Sequence, residues 1–224
     1  YDLMNDLMSF GFHRIWKKDL LKNIHSHNPK LILDLAGGTG DISFLLSKKF
    51  YKSTVLIYDL SLEMIKKSKK KLKSKNIVYV NGSAESISLQ SNSVDYLFSH
   101  SVMEHIRYSE LDLYIKEMHR VLKPNGLISH NINYKDHLDE SLNSLRFSHK
   151  IWESNLFSNS GFYTNRVPAI EMHRKFKKFG FKMVWEKYSQ WPLLPLKRKY
   201  MHNDFKSYSD QDLMNVTSSF IASK

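Results

Sequence analysis

The 224-residue chain contains no cysteine. That excludes disulfide staples, a thiolate nucleophile and cysteine-ligated zinc. Long apolar runs are also missing. The longest, residues 30–36 and 54–60, are strand-sized, whereas a membrane-spanning helix needs about 18–20 apolar residues. No secretory signal is visible, so a cytoplasmic location is the expectation. No repeat or low-complexity linker divides the sequence, and its length suits one α/β domain with a core of its own. Acidic residues number 22 against 34 lysines and arginines, a formal charge of +12. The lysines are scattered over helix faces, densest at 66–75, without the interleaved aromatics of a nucleic-acid binder. Nucleic acid is therefore not an expected partner. Lysine-, asparagine- and isoleucine-rich usage of the kind an AT-rich genome gives is the plain reading of the charge, and attraction to an anionic membrane surface is the other.

What is present is a regular alternation of strand-like and helix-like segments. Residues 2–8 and 14–25 read as helices broken by Gly11. The run 31–36 is continuously apolar and bounded by Pro29 and glycines, as a buried parallel strand should be. Helix 41–49, strand 54–60, helix 61–74, and strands 77–80 and 94–99 follow. A helix at 110–122 stops at Pro124-Asn125-Gly126. Strand 127–132, an aromatic helical stretch at 138–160, helix 169–179 and strands 181–188 and 216–222 complete the pattern. The implied architecture is a mostly parallel sheet with helices on both faces. Its parts are a helical cap (1–28), a core (29–133), an insertion (134–167) and a C-terminal section of the sheet (168–224).

The stretch Leu33-Asp34-Leu35-Ala36-Gly37-Gly38-Thr39-Gly40-Asp41 follows the first strand and opens a helix. Small residues there let the backbone approach a ligand, and the helix start offers free N–H donors. Nineteen residues after Gly40 the second strand ends in Asp59, where a carboxylate can accept from both hydroxyls of a ribose. Leu60 lies beside it. Asp34 either orients the loop or binds an ammonium group. A tight turn plus a capping aspartate is the purely structural alternative. A dinucleotide fingerprint wants a third small residue for helix packing, and Ser43 is a poor substitute. Asn81-Gly82-Ser83-Ala84-Glu85 follows the third strand, so Ser83 and Ala84 border a candidate adenine site. Ser99 and His100 end the fourth strand, beside a candidate methionine site.

Asp34 to Asp41, Asp59, Ser83-Ala84-Glu85, Asn92 to Phe98 and Arg120 to Gly126 resemble, in order and spacing, the successive motifs of class I methyltransferases. The resemblance implies a Rossmann-like seven-stranded sheet and S-adenosyl-L-methionine as cofactor, near Ala36, Gly37, Gly38, Thr39, Gly40, Asp59, Ser83, Ala84 and His100. That family usually carries Asp where Ser83 stands. Tyr1 to Lys17, continuing through Leu33 to Asp41, resembles the UbiE-type quinone C-methyltransferases, which implies a ring carbon of a polyprenylated quinol as acceptor. From the fourth strand onward the sequence departs from that family. Ser101-Val102-Met103-Glu104-His105, the stretch from His130 to Phe147, Gly161 to Arg166 and Tyr208 to Leu213 are similar instead to type-11 small methyltransferases, implying a glycan, lipid or metabolite acceptor. An NAD(P)-dependent oxidoreductase and a non-catalytic Rossmann-like binding protein are the readings from other classes.

Candidate proton-handling groups lie beyond the strand ends: His100, His105, His130, Asp136, His137, Tyr163 and Arg166. His137 and His130, grouped with Asp136, are the first choices, because a carboxylate-supported imidazole titrates near neutral pH. For each, a structural role is the competing reading. Trp152, Phe157, Phe162 and Tyr163 either line an apolar acceptor pocket or pack a lid. No metal site is expected, His25-x-His27 being undiagnostic. Oligomeric state is not legible.

Overall fold

The computed structural model describes residues 28–224; the expected helices at 2–8 and 14–25 lie outside them. The strand runs become β1 (Leu31–Leu35), β2 (Thr54–Asp59), β3 (Ile77–Asn81), β4 (Val94–His100), β5 (Leu122–Asn133), β6 (Lys182–Gln190) and β7 (Asn215–Ser223). They form one seven-stranded sheet in the order β3-β2-β1-β4-β5-β7-β6. β3 to β5 are parallel, and β7 runs antiparallel to both its neighbours. The order reverses at β1 and β4, where successive crossovers leave in opposite directions and open a crevice at the strands' carboxyl ends.

Side-chain alternation divides the core into two layers. Ile32, Val55, Ile57, Tyr96 and Phe98 pack one face against Ile42 and Leu46 of α1 (Asp41–Lys49) and Ile65 of α2 (Leu62–Lys71). Leu33, Leu35, Leu97 and Ile128 pack the other against Ile115 and Met118 of α3 (Leu111–Val121) and Met172 and Phe176 of α6 (Ala169–Lys178). Helix ends carry charges matched to the dipole: Asp41 opens α1 and Lys48 and Lys49 close it. Ser61 caps α2 by accepting from Met64 N–H.

Two expectations need adjustment. β5 begins at Leu122, directly after α3, and Pro124-Asn125-Gly126 bulges between the Val94–Leu122 and Tyr96–Leu127 pairs, with Asn125 at φ 61°. The aromatic stretch 138–160 is not one helix. It holds a 3-10 turn at Asn143–Arg146 and the one-turn helices α4 (His149–Trp152) and α5 (Asn155–Ser158). These fold around side chains rather than along a helical stripe. Leu142 and Leu145 bury with Leu196, Met201, Phe205 and Leu213, so the insertion and the segment before β7, which holds α7 (Asp210–Leu213), share a third small core.

Candidate functional site

The loop after β1 is shaped from below. Asp34 points under it, 3% exposed, and accepts from Ser43 Oγ–H at 2.6 Å. A Cβ on Gly37 would lie 2.7 Å from the Asp34 carboxyl carbon, so glycine is required there by close approach. Gly40, at φ 77°, is closed in likewise: its Cβ would meet Ile57 Cδ1 and Leu72 Cδ1 at 2.6 Å. Gly38, at φ 55°, differs, because among the described residues a Cβ there would meet nothing within 4 Å. The loop turns that position outward, over the crevice. Ala36 also adopts a left-handed φ of 56°, and its N–H donates to Tyr58 O at 2.7 Å. Thr39 Oγ1–H donates to Asp41 Oδ2 at 3.2 Å.

Asp59 ends β2 with its carboxylate already engaged. Gly38 N–H donates to Oδ2 and Ser61 N–H to Oδ1, each at 2.8 Å. Each carboxylate oxygen retains further acceptor capacity. Asn81 Nδ2–H donates to the carbonyls of Asp59 and Leu60, which holds the turn after β3 against the end of β2. Gly82 N–H donates to Asp59 O at 3.1 Å, and Leu60 is left 73% exposed. Burial, with Asp59 and Asp41 nearby and despite the Ser43 hydrogen bond, pushes the Asp34 carboxyl up to about 7.

The ends of β4 and β5 carry the histidines. Ser99 and His130 are paired across the strands, and Ser99 Oγ and His130 Nδ1 share a 2.6 Å hydrogen bond. His130 is fully buried against Phe176 and Phe220, and burial drives its imidazole down to about 3. It is a neutral core residue without access to an acceptor, contrary to the sequence expectation. Asp136 does not support a histidine either: its carboxylate accepts from the N–H groups of Leu138, Asp139 and Ser144. His137 is exposed and stacks on His105, centroids 5.3 Å apart and planes 11° from parallel. The structure therefore separates His137 from His130 and unites it with His105.

Several organising residues gave little sequence signal. Asn165 Nδ2–H donates to Met103 O and Ile106 O, and Asn165 N–H to Glu104 O, clasping the turn after β4. Glu104 is buried with Oε1 accepting from Asn133 N–H, and burial raises its carboxyl to about 7. Arg166, at φ 59°, donates to Ser144 O and Phe147 O and lies between the Trp152 and Phe205 rings. Phe147, Phe157 and Tyr163 stack on Trp152, and Tyr163 Oη–H donates to Glu153. Arg166 and these aromatics hold the insertion together. Among the described residues no three His, Asp or Glu side chains are grouped to hold a metal, and His25 and His27 fall outside them. No described helix is long and apolar enough to cross a membrane.

The sheet order matches solved methyltransferases. A SAM-dependent methyltransferase from Aquifex aeolicus superimposes with a TM-score of 0.61 at 17% identity, over 92% of this chain and 88% of that one. A Pyrococcus horikoshii OT3 protein does so with a TM-score of 0.64 at 21% identity, over 94% and 89%. At such identities the likeness concerns the fold. In sequence, the chain is 40% identical over 131 residues to the ubiquinone/menaquinone biosynthesis C-methyltransferase UbiE of Blochmanniella floridana, covering 56% of this chain and 51% of that protein. It is 39% identical over 135 residues to the Rickettsia akari protein of the same name, covering 56% and 53%. The chain thus spans about half the length of these curated relatives. The ubiE/COQ5 methyltransferase family model matches residues 1–163, well beyond the first 45 residues that carry the opening motif. A match over 163 of 224 residues places the whole cofactor loop and Asp59 inside the matched region, and this chain belongs to the ubiE/COQ5 methyltransferase family.

Proposed function

We propose that the protein is an S-adenosyl-L-methionine-dependent C-methyltransferase acting on a polyprenylated quinol, a reading supported by relatives named as C-methyltransferases of ubiquinone/menaquinone biosynthesis. The observation that carries the cofactor half is the outward-facing Gly38 beside Asp59: space left open by the described residues where a Cβ would be, edged by a carboxylate with acceptor capacity left. Asp59 takes the ribose hydroxyls, Leu60 and Ala84 offer apolar faces to adenine, and Ser83 borders the ring. Ala36, Gly37, Gly38, Thr39 and Gly40 line the loop, and Ser99 and His100 flank the methionine end. Asp34 acts from beneath, fixing Gly37 rather than touching ligand. When bound, the cofactor supplies an electrophilic methyl: its S–CH3 bond breaks as the ring-carbon–CH3 bond forms, sulfur keeps the electron pair, and the ring carbon's hydrogen leaves as a proton.

His137, exposed at the carboxyl edge of β5, belongs to the acceptor side; His130, neutral in the core, has no proton-transfer role. The insertion covers that side. Its Leu156 is 79% exposed, and Lys150, Ile151 and Phe162 of the same segment are exposed too. Apolar side chains rimmed by lysine suit peripheral contact with an anionic membrane, where a lipid-like acceptor would reside. Thermal unfolding tests the cofactor assignment: S-adenosyl-L-methionine and S-adenosylhomocysteine raise the midpoint by mass action, and NADH and NADPH do not. A shift with a nicotinamide cofactor alone overturns it.

A further inference from the structure

We propose that His105 is the general base that accepts the acceptor's hydroxyl proton, with His137 as its stacking partner. This rests on the quinol reading above.

The geometry assigns the tautomer. His105 Nδ1 lies 3.2 Å from Tyr163 O. A carbonyl oxygen only accepts, so Nδ1 carries the proton and donates. Nε2 is then the nitrogen with the free lone pair. The residue as a whole reaches the surface. Tyr163, by contrast, is buried, so the carbonyl that fixes the ring belongs to a fixed segment.

The turn that carries His105 is unusually well held. Asn165 bonds the carbonyls of Met103, Glu104 and Ile106, the residues around it, and His105 N–H donates to Val102 O at 3.0 Å. Glu104 ties the same turn to β5 through Asn133 N–H. Ser101, at a left-handed φ of 52°, donates to Asn131 O and starts the turn immediately beyond β4. β4 pairs with β1, Asp34 opposite Phe98, so the turn rises from the same sheet edge as the glycine loop. A base held this firmly loses little freedom when an acceptor arrives.

The surroundings also keep the imidazole unprotonated. Partial burial lowers its proton affinity, the Tyr163 carbonyl opposes this, and the facing titratable group, His137, lowers it again when charged. An uncharged imidazole at neutral pH is the form a base needs. Chemically, Nε2 takes the hydroxyl proton as electron density moves through the ring to the attacking carbon. The C–CH3 bond forms as the S–CH3 bond breaks, and the ring carbon's hydrogen departs as a proton. The imidazolium then returns its own proton to the oxygen, so one proton is released per methyl transferred.

The test uses the whole chain. Nitrogen-15 NMR of its histidines, with His105 assigned by loss of its signals in His105→Gln, is expected to show the Nδ1–H tautomer titrating below the ordinary histidine value; the Nε2–H tautomer overturns the proposal. Turnover is then followed with a polyprenyl benzoquinol and a polyprenyl naphthoquinol. His105→Gln should lower kcat by about 100-fold or more, the scale of a lost general base, and remove the acid limb of the pH profile. S-adenosyl-L-methionine affinity by calorimetry should change less than about 2-fold, because a lost base leaves the cofactor's own contacts in place. Wild-type turnover with His105→Gln within about 3-fold of it defeats the base assignment alone, since that residual loss is far below a base's contribution. Absence of wild-type turnover on both quinols, with cofactor bound, defeats the quinol reading and this inference with it.

Discussion

The backbone N–H of Gly38 donates to Asp59 Oδ2 at 2.8 Å, so the loop after β1 and the acid ending β2 form one unit. Asp59→Ala consequently does two things. It leaves the Gly38 and Ser61 N–H groups without their acceptor, and it removes the proposed ribose contact. Cofactor affinity by calorimetry should fall by about 1–3 kcal/mol, with a small drop in the unfolding midpoint. Unchanged affinity would refute the ribose role.

Gly38 and Gly40 share a positive φ but not their neighbours. Gly38→Ala carries only the left-handed penalty, about 1–2 kcal/mol, while its methyl enters the crevice. Gly40→Ala adds a clash with Ile57 and Leu72. Urea unfolding should rank Gly40→Ala as clearly less stable, and calorimetry should show Gly38→Ala with weakened cofactor binding. Normal binding by Gly38→Ala would mean the crevice beside it is not the cofactor site.

Asp34 links stability to pH. Its folded pKa is about 7 against an ordinary 3.8. Between those values the folded state holds a proton that the unfolded state has released, so stability falls as pH rises across that window and levels off above it. Asp34→Asn, which keeps an acceptor for Ser43, should flatten the slope between pH 4 and 7, by an amount on the order of a few kcal/mol. Glu104, raised from 4.5 to about 7, acts in the same direction. Parallel curves for wild type and Asp34→Asn, from urea titrations at fixed pH, would show Asp34 to be ionised in its pocket.

Arg166→Met keeps an apolar stem between Trp152 and Phe205 but strips the donors from Ser144 O and Phe147 O. A loss of about 1–3 kcal/mol is expected for the charge-assisted hydrogen bonds removed, Ser144 O keeping Phe147 N–H as a donor. Hydrogen exchange should localise the loosening to residues 142–166. Full protection there would mean that ring packing alone holds the insertion.

His130→Asn should leave the acid limb of the pH–rate profile where it is, since an imidazole held near 3 by burial does not titrate across it. A displaced limb would return His130 to the list of proton-transfer groups.

Much of this protein is written locally in its sequence. The sheet follows from apolar runs of strand length alternating with helix-length amphipathic segments, and the cofactor loop from three glycines set between β1 and Asp41. Asp59 is legible because it ends a strand at a fixed distance from that loop. These are features of neighbours along the chain, which periodicity and backbone sterics reveal. The histidines were not legible in this way. His130, His137 and Asp136 lie close in sequence, yet strand pairing buries His130 beside Ser99, backbone N–H groups saturate Asp136, and His137 is delivered to His105. Proton affinity at His130 and His105 depends on burial, and at His105 also on partners tens of residues away. Only the tertiary structure fixes those, because burial is a property of packed elements and not of the segment that carries the residue.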